Sequence, residues 1–525
     1  MAEEDLIFGK NRHFFGGIEP SNMRTFNANS AYDGTTDRVR ITVSLPLDTT
    51  IDNQTLCSIA GAVIRRKSGS YPEDEFDGDL VQNVTENGPI YDTNVVFGNT
   101  YYYAAFPYTK QGVYNRNKAN RAVVTVVRYA YIFGFDLTMS EDDPEDRVVY
   151  PSGVDNTSYT PAAMAFGSVF NYGDWPSNAG ELFMPKPCML NYDGSVAYYL
   201  SPSDYTKKAD GVTASDVANT SFGGNAMMEW PKIFTKRWTS DGIYHFRCSD
   251  IAMDEDWDCW CNYDINDHEI DHFYTPIFFG SLIGGKLRSI SGQSNSVSKT
   301  AANEISYALA NNPTGKNIWY TENLADRLLI QDLLTMMAKS TNTQSKYGSG
   351  RSDSSNTAAI GQGTMNTKGL FWGSNDQTSG VKVFGMENWW GNLWRRTAGW
   401  INVNGTQKIK ITRGTHDGSV ATDYNLDGAN YLTIAGATPA GTSGGYINTT
   451  KGLNYGRLPI TASGSATTFE CDGWWFNNAQ SNYAVVGGSW DYALLVGGFS
   501  VALNRAPSFA SADLGAALSC KPLAA

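Results

Sequence analysis

Apolar and polar residues alternate in several short runs between residues 38 and 125. In RVRITVSLPL the side chains of Val39, Ile41, Val43 and Leu45 fall on one side of an extended chain. GAVIRRKSG (61–69) reads as a second strand entering a turn. VVFGNTYYYAAFPYTKQGVYN (95–115) reads as a turn followed by a Tyr-rich strand. Short strands at this spacing predict a small β-sandwich. Further strand-like pieces stand at 227–238, 242–250 and 273–292. The period becomes helical in two places. In SKTAANEISYALANNP, Ala301, Ile305, Ala308 and Leu309 recur at helical spacing, and Pro313 ends the run. In TENLADRLLIQDLLTMMAKS, Thr321 is the expected cap. Leu324, Leu328, Leu329, Leu333, Met336 and Met337 form a broad stripe, the pattern of a helix packed on a sheet.

The aperiodic stretches divide the chain. Residues 1–36 read as an arm or docking segment, 37–127 as the sandwich, 128–226 as a loop-rich connection or extension, and 227–525 as the C-terminal domain. At 525 residues, two to four domains are expected. The composition is 41% hydrophobic and 18% charged, with 52 Gly, 29 Tyr, 24 Phe and 14 Trp, which favours a globular, β-rich chain. The net charge of −13 leaves no basic stripe for phosphates, so neither nucleic acid nor an anionic membrane surface is an expected partner. No run is apolar enough to insert in a membrane. MAEEDLIFGKNRHFFGG lacks the basic-then-apolar pattern of a secretory signal, so synthesis in a cytoplasm without a signal peptide is expected.

Several motifs have both a chemical and an ordinary reading. HEIDH (268–272) fits the zinc-protease pattern, which needs both histidines on one helical turn. Here it lies between an acidic run and the β-like FYTPIFF, so a loop is expected. The seven cysteines are odd in number and scattered. Cys259-Trp-Cys261 is too tight for a zinc knuckle and lacks a second pair. DYNLDG (423–428) lacks the ligand spacing of a calcium loop and reads equally well as a turn. Trp389, Trp390, Trp394 and Trp400 are expected in a core. No metal and no cofactor are expected.

The closing tract, GGSWDYALLVGGFSVALNRAPSFASADLGAALSCKPLAA (487–525), carries most information. Its frame of Gly, Ser, Ala, Asn and Pro suits turns and short strands. Set in it are Asp491, Tyr492, Leu494, Leu495, Arg505, Phe509 and Asp513, which share no chemistry. Recognition accepts such a mixture, whereas catalysis needs a few particular groups. In FSVALN, alternation would turn Phe499, Val501 and Leu503 inward and Ser500, Ala502 and Asn504 outward.

Three resemblances rest on these residues. Phe97-Gly98-Asn99-Thr100-Tyr101 and Ala105-Phe106-Pro107 resemble a fibronectin type III domain, although that family's strand-B tryptophan is missing, since Leu45 follows Ser44. EWPKIF, GKLRSISG, the two helices, GMENWWGNLWRR and GGSW resemble the phage version of the C-type lectin fold, related to formylglycine-generating-enzyme-like domains. CDGWWFNNAQSNYAVVGGSW followed by GGFSVALNRAPSFASADLGAALSCKPL resembles the variable region of proteins diversified by retroelements in phages of gut Bacteroidales. The implied fold class is mixed and β-rich, an N-terminal β-sandwich followed by an α+β C-type lectin-like domain with its variable region at about 471–520.

In that family a reverse transcriptase mutates template adenines. Changing the first two bases of an Asn codon gives Asp, Tyr, Ala, Leu, Val, Ser, Arg or Phe, the residues at 491–496, 500, 502, 505, 509 and 513. It cannot give Trp, so Trp474, Trp475 and Trp490 are expected to be scaffold, and Asn504 an unmutated survivor. The resemblance also implies a near-copy of the stretch coding for 470–522, differing at adenines, beside a reverse transcriptase gene. The implied ligand face is Asp491, Tyr492, Leu494, Leu495, Ser500, Ala502, Asn504, Arg505, Phe509 and Asp513. Its implied partner is a host-cell surface protein or glycan, with other virion proteins held through the N-terminal region and a homotrimer as the assembly. The implied place is a phage virion, as a tail fibre or adhesin, with no catalysis. Two alternatives stand beside this: a thiol enzyme on the formylglycine-generating scaffold using Cys471 or Cys520, and a purely structural virion protein. No Glu-Pro-Asn calcium triplet, reactive cysteine pair or copper site is present.

Overall fold

The computed structural model describes residues 18–32, 37–51, 54–96, 98–127, 132–166, 168–411, 413, 417–418, 430–434, 444–477 and 479–524. Most of the expected arm, Phe97 of the turn and the DYNLDG run lie outside them. The chain forms two compact units. One holds residues 1–131 and 249–258, and the other holds 132–248 and 259–525.

The first unit is a sandwich. Its three-stranded antiparallel sheet runs Thr25–Tyr32, Asp37–Ser44, Gly88–Asp92. Its four-stranded sheet runs Asp79–Val84, Ile59–Ser68, Thr100–Thr109, Arg121–Thr125. Val39, Ile41 and Val43 point into the core as their alternation predicts. They meet Ala62, Ile64, Tyr103 and Ala105 from the facing sheet.

The second unit is built on three larger sheets. A seven-stranded sheet orders Asp204–Lys208, Val196–Ser201, Lys186–Asn191, Gly224–Pro231, His272–Pro276, Leu518–Cys520 and Trp319–Thr321. Residues 132–226 therefore supply sheet strands of this unit. A four-stranded sheet orders Val148–Val149, Phe133–Thr138, Ile243–Ser249 and Phe234–Ser240. The third sheet contains Trp394–Val403, Asn482–Val486, Val501–Arg505 and Gly473–Phe476 in that order. The fold is mixed and β-dominated.

Helix α1 (Ala301–Leu309) matches its predicted span, with Thr300 accepting the Asn303 N–H at 3.3 Å as its cap. Helix α2 (Leu324–Ala338) differs from expectation in two ways. Asn323, not Thr321, caps it, accepting from Asp326 N at 3.1 Å. It is also buried all round rather than on one face, with only Ala325 partly exposed. Its polar side finds buried partners: Arg237 on Asp332 at 2.8 Å and Lys521 beside Asp326 at 3.1 Å. Burial of ions on this scale is tolerated only when they are paired and hydrogen-bonded. A short helix, α3 (Thr343–Tyr347), stands at the start of the Gly/Ser/Asn-rich stretch 341–367.

Candidate functional site

Strand Val501–Arg505 organises the closing tract. It lies parallel to Gly473–Phe476, pairing Trp475 with Ala502, and antiparallel to Asn482–Val486. Alternation then divides the side chains. Trp474, Phe476, Val501 and Leu503 pack with Leu324, Leu328 and Trp400 in one core. Ala502 faces the other way, into a second buried cluster against which Trp475, Tyr492 and Phe509 pack.

That second side carries a surface cluster. Trp394, Trp475 and Tyr492 meet edge to face, with ring centroids 5.3–5.5 Å apart and planes 85–89° from one another. Trp394 is buried beneath, while Trp475 and Tyr492 are partly exposed. The Arg505 guanidinium lies 4.7 Å from the Phe509 ring centroid and donates to Tyr492 Oη at 3.4 Å. Asp491 and Leu494 are exposed beside them, with Ser489 Oγ donating to Asp491 at 2.8 Å. Leu495, Asn504, Asp513 and Trp490 are partly exposed.

Two expected ligand contacts are corrected. Ser500 is fully buried, and its hydroxyl is used internally, donating to Leu495 O and accepting from Gly473 N. Ala502 is 3% exposed and is the floor of the cluster rather than part of its face. Alternation placed them away from Phe499, Val501 and Leu503, but both sides of this strand are covered. Of the scaffold tryptophans, Trp474 is buried, and Trp475 belongs to the surface cluster. Trp389, Trp390, Trp394 and Trp400 are core residues.

The main chain from 490 to 499 is held from outside the tract. Asn356 Nδ2 donates to Trp490 O at 2.9 Å, and Ala493 N donates to Ser352 O at 2.6 Å. Gln344 Nε2 donates to Leu494 O at 2.7 Å and also to Val496 O. Gln331 and Arg327 of α2 donate to Gly498 O at 2.7 and 3.0 Å, and Gly498 N donates to Thr343 Oγ1 at 3.0 Å. Phe499 N donates to Asp472 Oδ2 at 2.7 Å. Gly497 sits at φ +157°, where a Cβ would collide with that same carboxylate. Each clamp grips a backbone atom, so none depends on which side chain stands at 491–495.

The buried clamps are electrostatically costly. Burial pushes the Arg327 guanidinium down to about 9 against the pull of Glu322, 3.6 Å away. Burial pushes Asp472 upward. Sequence reasoning missed Gln344, Ser352 and Asn356, because a Gly/Ser/Asn-rich stretch has the same composition whether it is solvated or docked on a neighbour.

The other sequence candidates lie elsewhere. HEIDH is not helical. His268 Nδ1 stands 3.5 Å from Asp264, His272 Nε2 4.0 Å from Glu229, and Glu269 3.6 Å from Lys232. Among the described residues no group of three His, Cys, Asp or Glu side chains is placed to hold a metal. Cys471 and Cys520 are buried and their thiols are pushed up, chiefly by desolvation, which suppresses the reactive thiolate. An open hollow of about 560 Å³, lined by Arg24, Pro46, Asp48 and Glu86, belongs to the first unit. No protein-family model matches the chain, and no curated protein matches it.

Proposed function

We propose that the chain is a receptor-binding protein of a phage particle, and that the face built from Trp475, Asp491, Tyr492, Leu494, Arg505 and Phe509 contacts the host surface. One observation carries this reading: the backbone beneath the face is clamped by main-chain bonds, while the side chains above it are clustered, partly exposed and chemically mixed. A surface whose side chains change while its backbone stays needs that separation. It supports the resemblance to retroelement-diversified, lectin-like variable proteins. The sandwich of the first unit would join the binding unit to the particle.

Tyr, Trp and Arg are the side chains that most often anchor protein interfaces, and here they are adjacent. This favours a protein ligand. Modest affinity at each site would be multiplied by many copies on one particle. The test is the triple variant Tyr492→Ala, Arg505→Ala, Phe509→Ala. It should remain folded by circular dichroism, and adsorption to host cells should be abolished. Unchanged adsorption refutes the site.

A further inference from the structure

The open face of the four-stranded sheet carries a second constellation, outside the closing tract. Phe135, Leu137, Val148, Tyr244 and Phe246 bury one face of that sheet. The other face presents Ser240, His245 and Asp136. Ser240 Oγ lies 3.0 Å from His245 Nε2, and His245 Nδ1 lies 2.8 Å from Asp136 Oδ1. A carboxylate only accepts hydrogen bonds, so Nδ1 carries the ring proton, and in the neutral ring Nε2 is the acceptor facing the hydroxyl. This is the order and spacing in which a serine is activated by a histidine oriented by an acid.

The surroundings fit the same use. Arg247 Nη2 donates to Asp136 Oδ1 at 2.8 Å, which keeps the carboxylate in place. The Trp238 indole stacks on the imidazole, centroids 4.5 Å apart and planes 15° apart, and limits its rotation. The histidine side chain is 12% exposed, whereas Ser240 is open to solvent. Ser240 enters a turn in which Asp241 and Gly242 both have positive φ, 51° and 76°. In a two-residue hairpin turn of that type the ladder uses the N–H groups of the flanking residues. The Asp241 and Gly242 N–H groups, next in the chain after the serine and outside the ladder, are the groups available to serve as donors for an oxyanion. Val149, paired with Asp136 and 47% exposed, adds apolar surface.

We propose that Ser240, His245 and Asp136 form a hydrolytic site for short-chain carboxylic esters. Ser240 Oγ attacks the acyl carbon while His245 Nε2 takes its proton. The tetrahedral intermediate breaks its C–O bond, and His245 returns the proton to the leaving alcohol. Water, deprotonated by His245, then attacks the acyl carbon; the C–Oγ bond breaks, His245 returns the proton to Ser240 Oγ, and the acid is released. Ser240 and His245 are the catalytic residues, and Asp136 is a positioning residue. An open face rather than a deep pocket suits a small acyl group on a bulky alcohol. The activity is separate from ligand binding by the closing tract, and either can fail without the other.

The test uses the full chain with p-nitrophenyl acetate as substrate and a fluorophosphonate as covalent probe. The expected adduct is on Ser240, mapped by mass spectrometry. Ser240→Ala and His245→Ala should each abolish labelling and lower hydrolysis by at least about 100-fold. Asp136→Asn should lower kcat with KM kept. Ser240 is exposed and His245 and Asp136 are partly buried, so circular dichroism checks that each variant is folded. Labelling absent or spread over other hydroxyls, or hydrolysis unchanged in Ser240→Ala, overturns the proposal and leaves the three groups as a cross-strand polar ladder.

Discussion

At the residue scale, the binding tract separates side chains that shape the backbone from side chains that only decorate it. Gln344 belongs to the first kind. Its amide satisfies Leu494 O and Val496 O together from a buried position. Gln344→Ala should cost about 1–3 kcal/mol, the desolvation penalty of buried carbonyls left without a donor. Leu494 belongs to the second kind, since its side chain is exposed and only its carbonyl is gripped. Leu494→Ser should change stability by less than about 0.5 kcal/mol. Urea unfolding of the two variants beside the parent measures both, and equal costs would remove the distinction.

At the element scale, strand Val501–Arg505 is covered on both sides, which sets what it tolerates. Ala502 belongs to the buried cluster with Trp394 and Leu514 that Trp475, Tyr492 and Phe509 cover. Ala502→Phe should overpack that layer and cost about 1–3 kcal/mol. Arg505, three residues on, is partly exposed and should accept an aromatic residue with little change. A thermal-shift comparison of Ala502→Phe with Arg505→Phe separates the two positions. Helix α2 gives a related lesson: its apolar stripe was legible, but burial of its polar side depends on Arg237, Lys521 and Gly498, none near in sequence.

At the scale of the whole molecule, buried thiols set an alkaline limit on stability. Burial raises Cys57, Cys188, Cys248, Cys261, Cys471 and Cys520 above the ordinary thiol range. Above the unfolded thiol pKa of about 8.5, the unfolded chain releases protons that the native chain keeps. The native state then binds more protons, so stability falls as pH rises. The urea midpoint should drop between pH 7.5 and pH 9.5. The native chain should also react slowly with a thiol reagent that labels the unfolded chain at once. Rapid native labelling at pH 7.5 would contradict the burial.

The sequence by itself determined the periodic elements: the alternating strands of the sandwich, the span of α1, the apolar stripe of α2 and the mixed residues on a small-residue frame at 487–525. Those features are local, because side-chain period follows from backbone geometry. Tertiary structure alone decided which groups meet. Alternation separated Ala502 from Val501 and Leu503, but only packing showed that its side of the strand is covered too. Arg147 and Glu470 are buried partners 323 residues apart, and His245 meets Asp136 across 109. No spacing rule reaches such pairs. Hydrogen bonds and ion pairs are short-ranged and directional, so their partners are set by where sheets and loops pack, not by position along the chain.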